Sequence, residues 1–395
     1  MVDAKAAASA AWDTEHQEVH GGQTWRLCDS FVEDFSVTTN AFGAPAKAMQ
    51  EAQAALAQIH HYPAADCKDA IRDLAEFMRW PENRLLVGNG ASEFIDLVMR
   101  AGPAGSFQPG PYDAAYMEYN RAAVAAGRSV MKHDDPATPA ITVVIHPNSP
   151  TGHCMSLQDI ERRAQLAKQT SSLLVLDESF MPFFGPDWHA HSALSLIDKY
   201  PETVIVINSW TKLWSCPGLR LGSVACGEQW YKTFKKLQTP WSCNTLAQAF
   251  CSAAARDTGY MERTWNTLPG WKQRQQELLV KLGWTVNEQS PLWVPWVFVD
   301  CGSADAAEQA AAVAQEVGCP VRWCASFGTP RNLRLGIRAP EHQDVLQAAW
   351  EKAFGIVSPE TSVPASVTKA AGVSCLEDAS QPASTSCKVA ANGVH

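Results

Sequence analysis

The sequence predicts an α/β protein, with a large lobe built on a mostly parallel sheet and a smaller α+β lobe after it. Three observations point there. Leu173-Leu-Val-Leu176 and Val204-Ile-Val-Ile207 are short, unbroken apolar runs, the pattern of strands buried on both faces as parallel strands are. Amphipathic stretches of helical period, such as residues 157–168, alternate with runs of this kind. A chain of 395 residues is also long for a single core, so a second lobe is expected.

Taken in order, residues 1–45 read as an N-terminal arm, closed by Phe42-Gly43-Ala44-Pro45, which opens a helix over 46–59. Residues 46–270 form the large lobe. Within it Arg84-Leu-Leu-Val-Gly88-Asn-Gly90-Ala-Ser92 is a strand, a glycine turn and the start of an amphipathic helix. A helix over 271–282 leads out to the smaller lobe, 271–357, which holds Trp293-Val-Pro-Trp-Val-Phe-Val299 and a helix over 304–317. From 358 to 395 serine, threonine, proline and alanine replace large apolar residues, which predicts a disordered tail.

Composition narrows the function. Hydrophobic content of 46% against 18% charged residues is that of a folded globular protein, and a net charge of −9 argues against nucleic acid as a partner. No apolar run approaches the roughly 20 residues of a membrane span. The twelve cysteines are scattered, with no Cys-x-x-Cys pair and no secretory leader, which predicts reduced thiols and a cytoplasmic location. The start, Met1-Val-Asp3-Ala-Lys-Ala-Ala-Ala, lacks the arginines of a transit peptide. His189-x-His191 and His60-His61 have no further ligand at metal spacing, so no metal is expected.

The chemistry is concentrated in Ser209-Trp-Thr211-Lys212-Leu-Trp-Ser-Cys-Pro-Gly-Leu-Arg220-Leu-Gly222. Lys212 lies just past a buried strand, where open α/β sheets place ligands, and a partly desolvated lysine there can attack an aldehyde. Ser209, Thr211 and Arg220 are placed to clamp a phosphate on the same cofactor. Asp177, at the end of the apolar run 173–176, can hold a pyridine nitrogen protonated and so make the ring an electron sink, although a strand-end aspartate can also simply cap a turn. The N–H groups of Gly90, Ala91 and Ser92 form a phosphate cradle at a helix start. Trp210 and Trp214 flank Lys212, either as pocket wall or as packing beneath the cofactor.

With these residues the chain resembles the fold type I pyridoxal 5'-phosphate enzymes of the class I/II aminotransferase superfamily, over roughly residues 18–355. The resemblance implies a large domain with a seven-stranded-type sheet. His146-Pro-Asn148-Ser149-Pro150-Thr-Gly152 is similar to that family's Asn-Pro-Thr-Gly turn, and Leu333-Arg334-Leu-Gly-Ile-Arg338 to its carboxylate-binding segment. It also implies that Tyr116 stacks on the cofactor ring, with Tyr112 as a rival, and that Tyr62 reaches the cofactor phosphate of a neighbouring subunit. The expected assembly is therefore a homodimer with shared active sites.

Within the superfamily the branch resembled contains histidinol-phosphate aminotransferases and threonine-phosphate decarboxylases. His20-Gly-Gly-Gln23, followed by Asp34-Phe-Ser36, Asn40 and Gly43, is similar to the decarboxylase arm, and Thr239-Pro-Trp-Ser-Cys-Asn244 to another of its segments. Phe180 stands where aminotransferases usually carry a tyrosine, and Ser149 where they carry an asparagine, leaving open whether Asn148 or Ser149 meets the cofactor. The resemblance thus implies an α-decarboxylase of a small amino acid or amino acid phosphate. An aminotransferase resembling the histidinol-phosphate enzyme is the alternative, and a non-catalytic binding module a third. By resemblance His20, Asn40, Gly43, Arg322 and Arg334 contact substrate, with Arg331 and Arg338 as further candidates that a salt bridge explains equally well.

Overall fold

The computed structural model describes residues 22–356. Its larger sheet contains β1 (Leu85–Asn89), β2 (Phe107–Gln108), β3 (Ile141–Ile145), β4 (Leu173–Asp177), β5 (Val204–Ser209) and β6 (Leu221–Cys226), in the order β1-β6-β5-β4-β3-β2. β2 to β5 pair in parallel, and β6 runs antiparallel to both β5 and β1. A lone parallel bridge joins Phe107 to Val130 beside β2. Among the described residues the sheet therefore has six strands and one bridge, where the family resemblance implied a seven-stranded type.

The apolar runs are continuous because both sheet faces are covered. Leu174, Leu176, Val204 and Val206 enter one core cluster, while their neighbours Leu173, Val175, Ile205 and Ile207 enter the other. At about 25 cal/mol per Å² of apolar area removed from water, side chains buried this way supply the main drive for folding. The register levels Ile145 with Asp177 and Asp177 with Ile207, so three parallel strands deliver their C-terminal ends to one edge. β1 ends there too, running directly into the helix Gly90–Ala101, and β5 into the short helix Trp210–Leu213.

A second, fully antiparallel sheet contains β7 (Thr285–Val286), β8 (Trp296–Asp300), β9 (Arg322–Trp323) and β10 (Asn332–Gly336), in the order β7-β8-β10-β9. Its register sets Arg334 directly opposite Arg322.

Helix bounds depart from expectation in two places. The helix beginning at Ala46 stops at Ala55 and continues as a 3-10 turn over Leu56–Gln58. The helix expected to begin at 271 instead spans Thr258–Lys281, through Pro269-Gly270 and the lobe boundary expected at 270. Tyr260, Met261, Thr264, Leu268, Lys272, Gln275 and Leu279 form one buried face along it, and that packing outweighs the local cost of Pro269. Among the described residues no helix is long and apolar enough to cross a membrane, and all ten cysteines are free thiols. His20, most of the arm's first half and the tail expected from 358 lie outside the described residues.

Candidate active site

The strand ends enclose a cavity of about 180 Å³ whose wall includes Ala91, Ser92, Tyr116, Ser149, Asp177, Ser209, Thr211, Lys212, Arg220, Arg322 and Arg334. They come from several separate parts of the chain. β4 supplies Asp177, the helix after β5 supplies Thr211 and Lys212, the helix after β1 supplies Ala91 and Ser92, and the second sheet supplies Arg322 and Arg334.

The cradle is made by close backbone approach. A Cβ on Gly222 of β6 would fall 2.2 Å from the nitrogen of Ala91, and one on Gly90 would fall 2.6 Å from Nη2 of Arg220. Both glycines therefore let a helix start, with first-turn N–H groups lacking intrahelical acceptors, meet the guanidinium. The hydroxyls of Ser209 and Thr211 lie 2.8 Å apart beside them.

Burial lowers the pKa of the Lys212 amine to about 8, with the Arg334 and Arg220 cations acting in the same direction and Asp177 opposing them. Burial likewise raises the pKa of the Asp177 carboxyl, against hydrogen bonds from Ser179 and Tyr119. The adjacent Glu178 is also pushed up, to about 7, by burial, but it accepts from the Ala193 N–H at 2.7 Å and from the Ser192 hydroxyl, away from the cavity. Arg334 donates to Ser149 Oγ at 2.9 Å and to the Ser36 carbonyl at 2.8 Å, leaving its buried Nε without a hydrogen-bond partner.

Several expected site residues stand elsewhere. Ser149 is on the wall, whereas Asn148 is buried behind it, its amide donating to the Ala114 carbonyl and Thr151 Oγ1. Tyr116 lines the cavity, while Tyr112 hydrogen-bonds with His153 outside it. Asn40 does not line the cavity, because its amide is committed to Thr264 Oγ1 and its N–H to the Lys212 carbonyl, which pins the arm to the lysine's backbone. Gly43 is a left-handed turn residue whose carbonyl accepts from Tyr260. Tyr62 is 80% exposed, packed at a tilt on Trp241 and outside its own chain's cavity. Arg338 is buried and holds the arm through Glu33, Asp34, Val37 and Thr39, besides donating to the Ile337 carbonyl, and Arg331 pairs with Asp300. Trp210 and Trp214 are buried against each other and Phe77, so they are packing behind Lys212 and not wall.

Sequence reasoning missed the arm residues Ser36, Val37 and Thr38, which close one side of the cavity together with Phe327. It also missed Ser179, whose Oγ donates to Asp177 at 2.6 Å and accepts from the Ser209 N–H at 2.8 Å. The signal available for Ser179 was its place two residues after a strand-end aspartate.

A family model described as aminotransferase class I and II matches residues 32–351. Histidinol-phosphate aminotransferase 1 of Cupriavidus pinatubonensis is 27% identical over 330 residues, covering 80% of this chain and 86% of that protein. Histidinol-phosphate aminotransferase of Symbiobacterium thermophilum is 28% identical, covering 80% and 89%. Among solved structures, histidinol-phosphate aminotransferase of Sinorhizobium meliloti in complex with pyridoxal-5'-phosphate matches with a TM-score of 0.74 at 18% identity, over 87% of this chain and 99% of that one. L-threonine-O-3-phosphate decarboxylase of Porphyromonas gingivalis matches with a TM-score of 0.69 at 18% identity, over 82% and 100%. Such structural likenesses speak to the fold.

The cavity fits the cofactor this family uses. A cradle that a single Cβ would fill, three hydroxyls and a guanidinium suit a phosphate; Tyr116 offers a ring face, Asp177 a buried carboxylate, and Lys212 an amine of lowered basicity. The chain belongs to the class I and II aminotransferase family, and is a pyridoxal 5'-phosphate enzyme of fold type I.

Proposed function

We propose that the protein is an aminotransferase acting on a small amine or amino acid that carries an anionic group, with an amino acid phosphate as the favoured class. The observation that carries this is the pair Arg322 and Arg334. They face each other across β9 and β10 and line the cavity that holds Lys212. Like charges directly opposite each other destabilise a sheet, and burial costs each guanidinium its hydration, so an anion between them relieves both. The two cations select an anionic group on the substrate, and an amino group is required by the cofactor aldehyde that Lys212 would hold in the same cavity.

Bound pyridoxal 5'-phosphate supplies an aldehyde that captures the substrate amine and a ring that accepts the electrons of the bond broken at the α-carbon. Lys212 is the group placed to carry the proton that leaves the α-carbon and to return it. A pKa near 8 leaves part of the amine neutral at physiological pH while keeping the ammonium accessible. Ser92, Ser209, Thr211 and Arg220 hold the phosphate end, and Ser36 to Thr38 with Phe327 wall the cavity elsewhere.

The relatives named histidinol-phosphate aminotransferase support transamination over the decarboxylation that the arm motif suggested. Decarboxylation of an O-phosphorylated amino acid is the second reading, and Phe180 favours it. Phe180 lines the cavity and packs edge-on against Trp296, with ring centroids 4.6 Å apart, so this position brings no hydroxyl to the site. The reading also includes a homodimer with shared sites, supported by the exposed Tyr62–Trp241 pair at 4.7 Å.

A single-turnover reaction of the cofactor-loaded protein with amino acids and their O-phosphates separates the two readings. Accumulation of the aminated cofactor and a keto product without carbon dioxide is the expected result. Release of carbon dioxide with the cofactor left as aldehyde overturns transamination in favour of the second reading.

A further inference from the structure

Asp177 accepts three hydrogen bonds, and one comes from a residue that no motif marks. Its Oδ1 accepts from Ser179 Oγ at 2.6 Å and from the Ser179 N–H at 3.1 Å, while its Oδ2 accepts from the phenol of Tyr119 at 2.9 Å. Tyr119 is 1% exposed, lies in the first turn of the helix Glu118–Ala125, and does not line the cavity. Its ring also meets Tyr116, at 6.5 Å between centroids and 82° between planes. One buried side chain therefore touches both the carboxylate and the aromatic wall.

The position itself asks for no hydroxyl. Tyr119 packs in an apolar cluster with Phe94, Ile95, Val143 and Ile207, where phenylalanine would fill the space. A buried phenol needs a partner, and among the described residues the acceptor of the Tyr119 hydroxyl is the Asp177 carboxylate.

We propose that Tyr119 is a positioning residue for the cofactor ring: its hydroxyl holds Asp177 ionised and aimed at the ring nitrogen, while its ring fixes the tilt of Tyr116. The proposal rests on pyridoxal 5'-phosphate occupying the cavity. Tyr119 transfers no proton. Burial and the Asp177 charge keep its phenol protonated, so it acts as a permanent donor. Burial favours the neutral acid form of Asp177, and the donors from Tyr119 and Ser179 oppose that preference. Losing one donor strengthens the hold of Asp177 on a proton and weakens its pairing with the protonated ring nitrogen.

The test uses the full chain reconstituted with pyridoxal 5'-phosphate. Tyr119→Phe keeps the ring and removes the donor. The expected result is native circular dichroism, a shifted pH midpoint of the cofactor's visible absorption band, and kcat lowered by on the order of tenfold to a hundredfold with KM nearly unchanged, as for a lost hydrogen bond to a charged group. Tyr119→Leu removes the Tyr116 contact as well and loses cofactor more readily than Tyr119→Phe. Ser179→Ala, which removes a donor from the other oxygen, shifts the midpoint in the same direction. A Tyr119→Phe protein with the wild-type midpoint and kcat overturns the proposal. Wild-type protein that develops no cofactor band overturns the cofactor reading and this one with it, so the two failures are told apart by the wild-type spectrum.

Discussion

Lys212 and Arg334 face one cavity, and after burial itself the Arg334 guanidinium is the largest influence lowering the lysine's pKa to about 8. An arginine supplied by the second sheet thus tunes an amine supplied by the first. Replacing it, as in Arg334→Gln, raises the pKa of the Lys212 amine towards its ordinary 10.5, since the charged form loses a repelling neighbour. The rate at which apo-protein captures cofactor should then depend on pH with its inflection moved upward. KM for an anionic substrate should rise on the order of tenfold to a hundredfold, as for loss of a charge-assisted hydrogen bond. Stopped-flow absorbance across pH checks the first effect and steady-state kinetics the second.

Gly222→Ala would place a Cβ 2.2 Å from the Ala91 nitrogen, an overlap that only movement of the helix start or the strand can relieve. A stability loss of about 1–3 kcal/mol is expected from such overpacking. Because the displaced group is the proposed phosphate cradle, affinity for pyridoxal 5'-phosphate should fall much more than affinity for phosphate-free pyridoxal. Equilibrium dialysis with the two ligands measures the difference.

Arg338 ties the arm to the second sheet, donating to Glu33 at 3.1 Å and to the carbonyls of Asp34, Val37 and Thr39. The neighbouring Ser36, Val37 and Thr38 form part of the cavity wall. Arg338→Met leaves those carbonyls and Glu33 without the guanidinium, at a cost of about 3–5 kcal/mol. The loosened wall should raise KM more than it lowers kcat, and limited proteolysis should cut the arm sooner than in the wild type.

A second buried lysine gives the fold a pH dependence of its own. Lys272 donates to Ser290 Oγ at 2.8 Å and to the Pro291 carbonyl at 2.7 Å, and burial lowers its pKa to about 7. In the unfolded chain the ordinary value is 10.5, so between those values the unfolded state holds a proton that the native state does not. Stability therefore rises with pH across this window, and the contribution is lost as pH falls to about 7. Lys272→Met should flatten the profile by up to about 1.4 kcal/mol per pH unit, read from urea midpoints of apo-protein. Lys212→Met flattens only the narrower window from about 8 to 10.5.

Much of this architecture was legible because strands buried on both faces have a plain signature. The runs ending at Asp177 and Asn208 located two strand ends, and parallel register then placed Asp177 and Lys212 near each other. Arginines were harder to read. Arg334 and Arg338 sit four residues apart in one segment, yet the first faces the cavity and the second is spent on the arm, a difference set by partners more than 290 residues away in sequence. The helix was expected only from 271, whereas its buried face carries it from Thr258 to Lys281 through Pro269, against that residue's local propensity. Tyr119 had no local mark, and Ser179 only its place two residues after the strand-end Asp177, since each acts through that carboxylate.

On the proposed reading Lys212 is the amine that carries the cofactor, and Lys272 is a second buried lysine of lowered basicity. Borohydride reduction of the cofactor-loaded protein, followed by digestion and mass spectrometry, tests the claim directly. The predicted result is a reduced cofactor attached only to the peptide containing Lys212. Attachment at Lys272, or no attachment in protein that retains its cofactor, would contradict it.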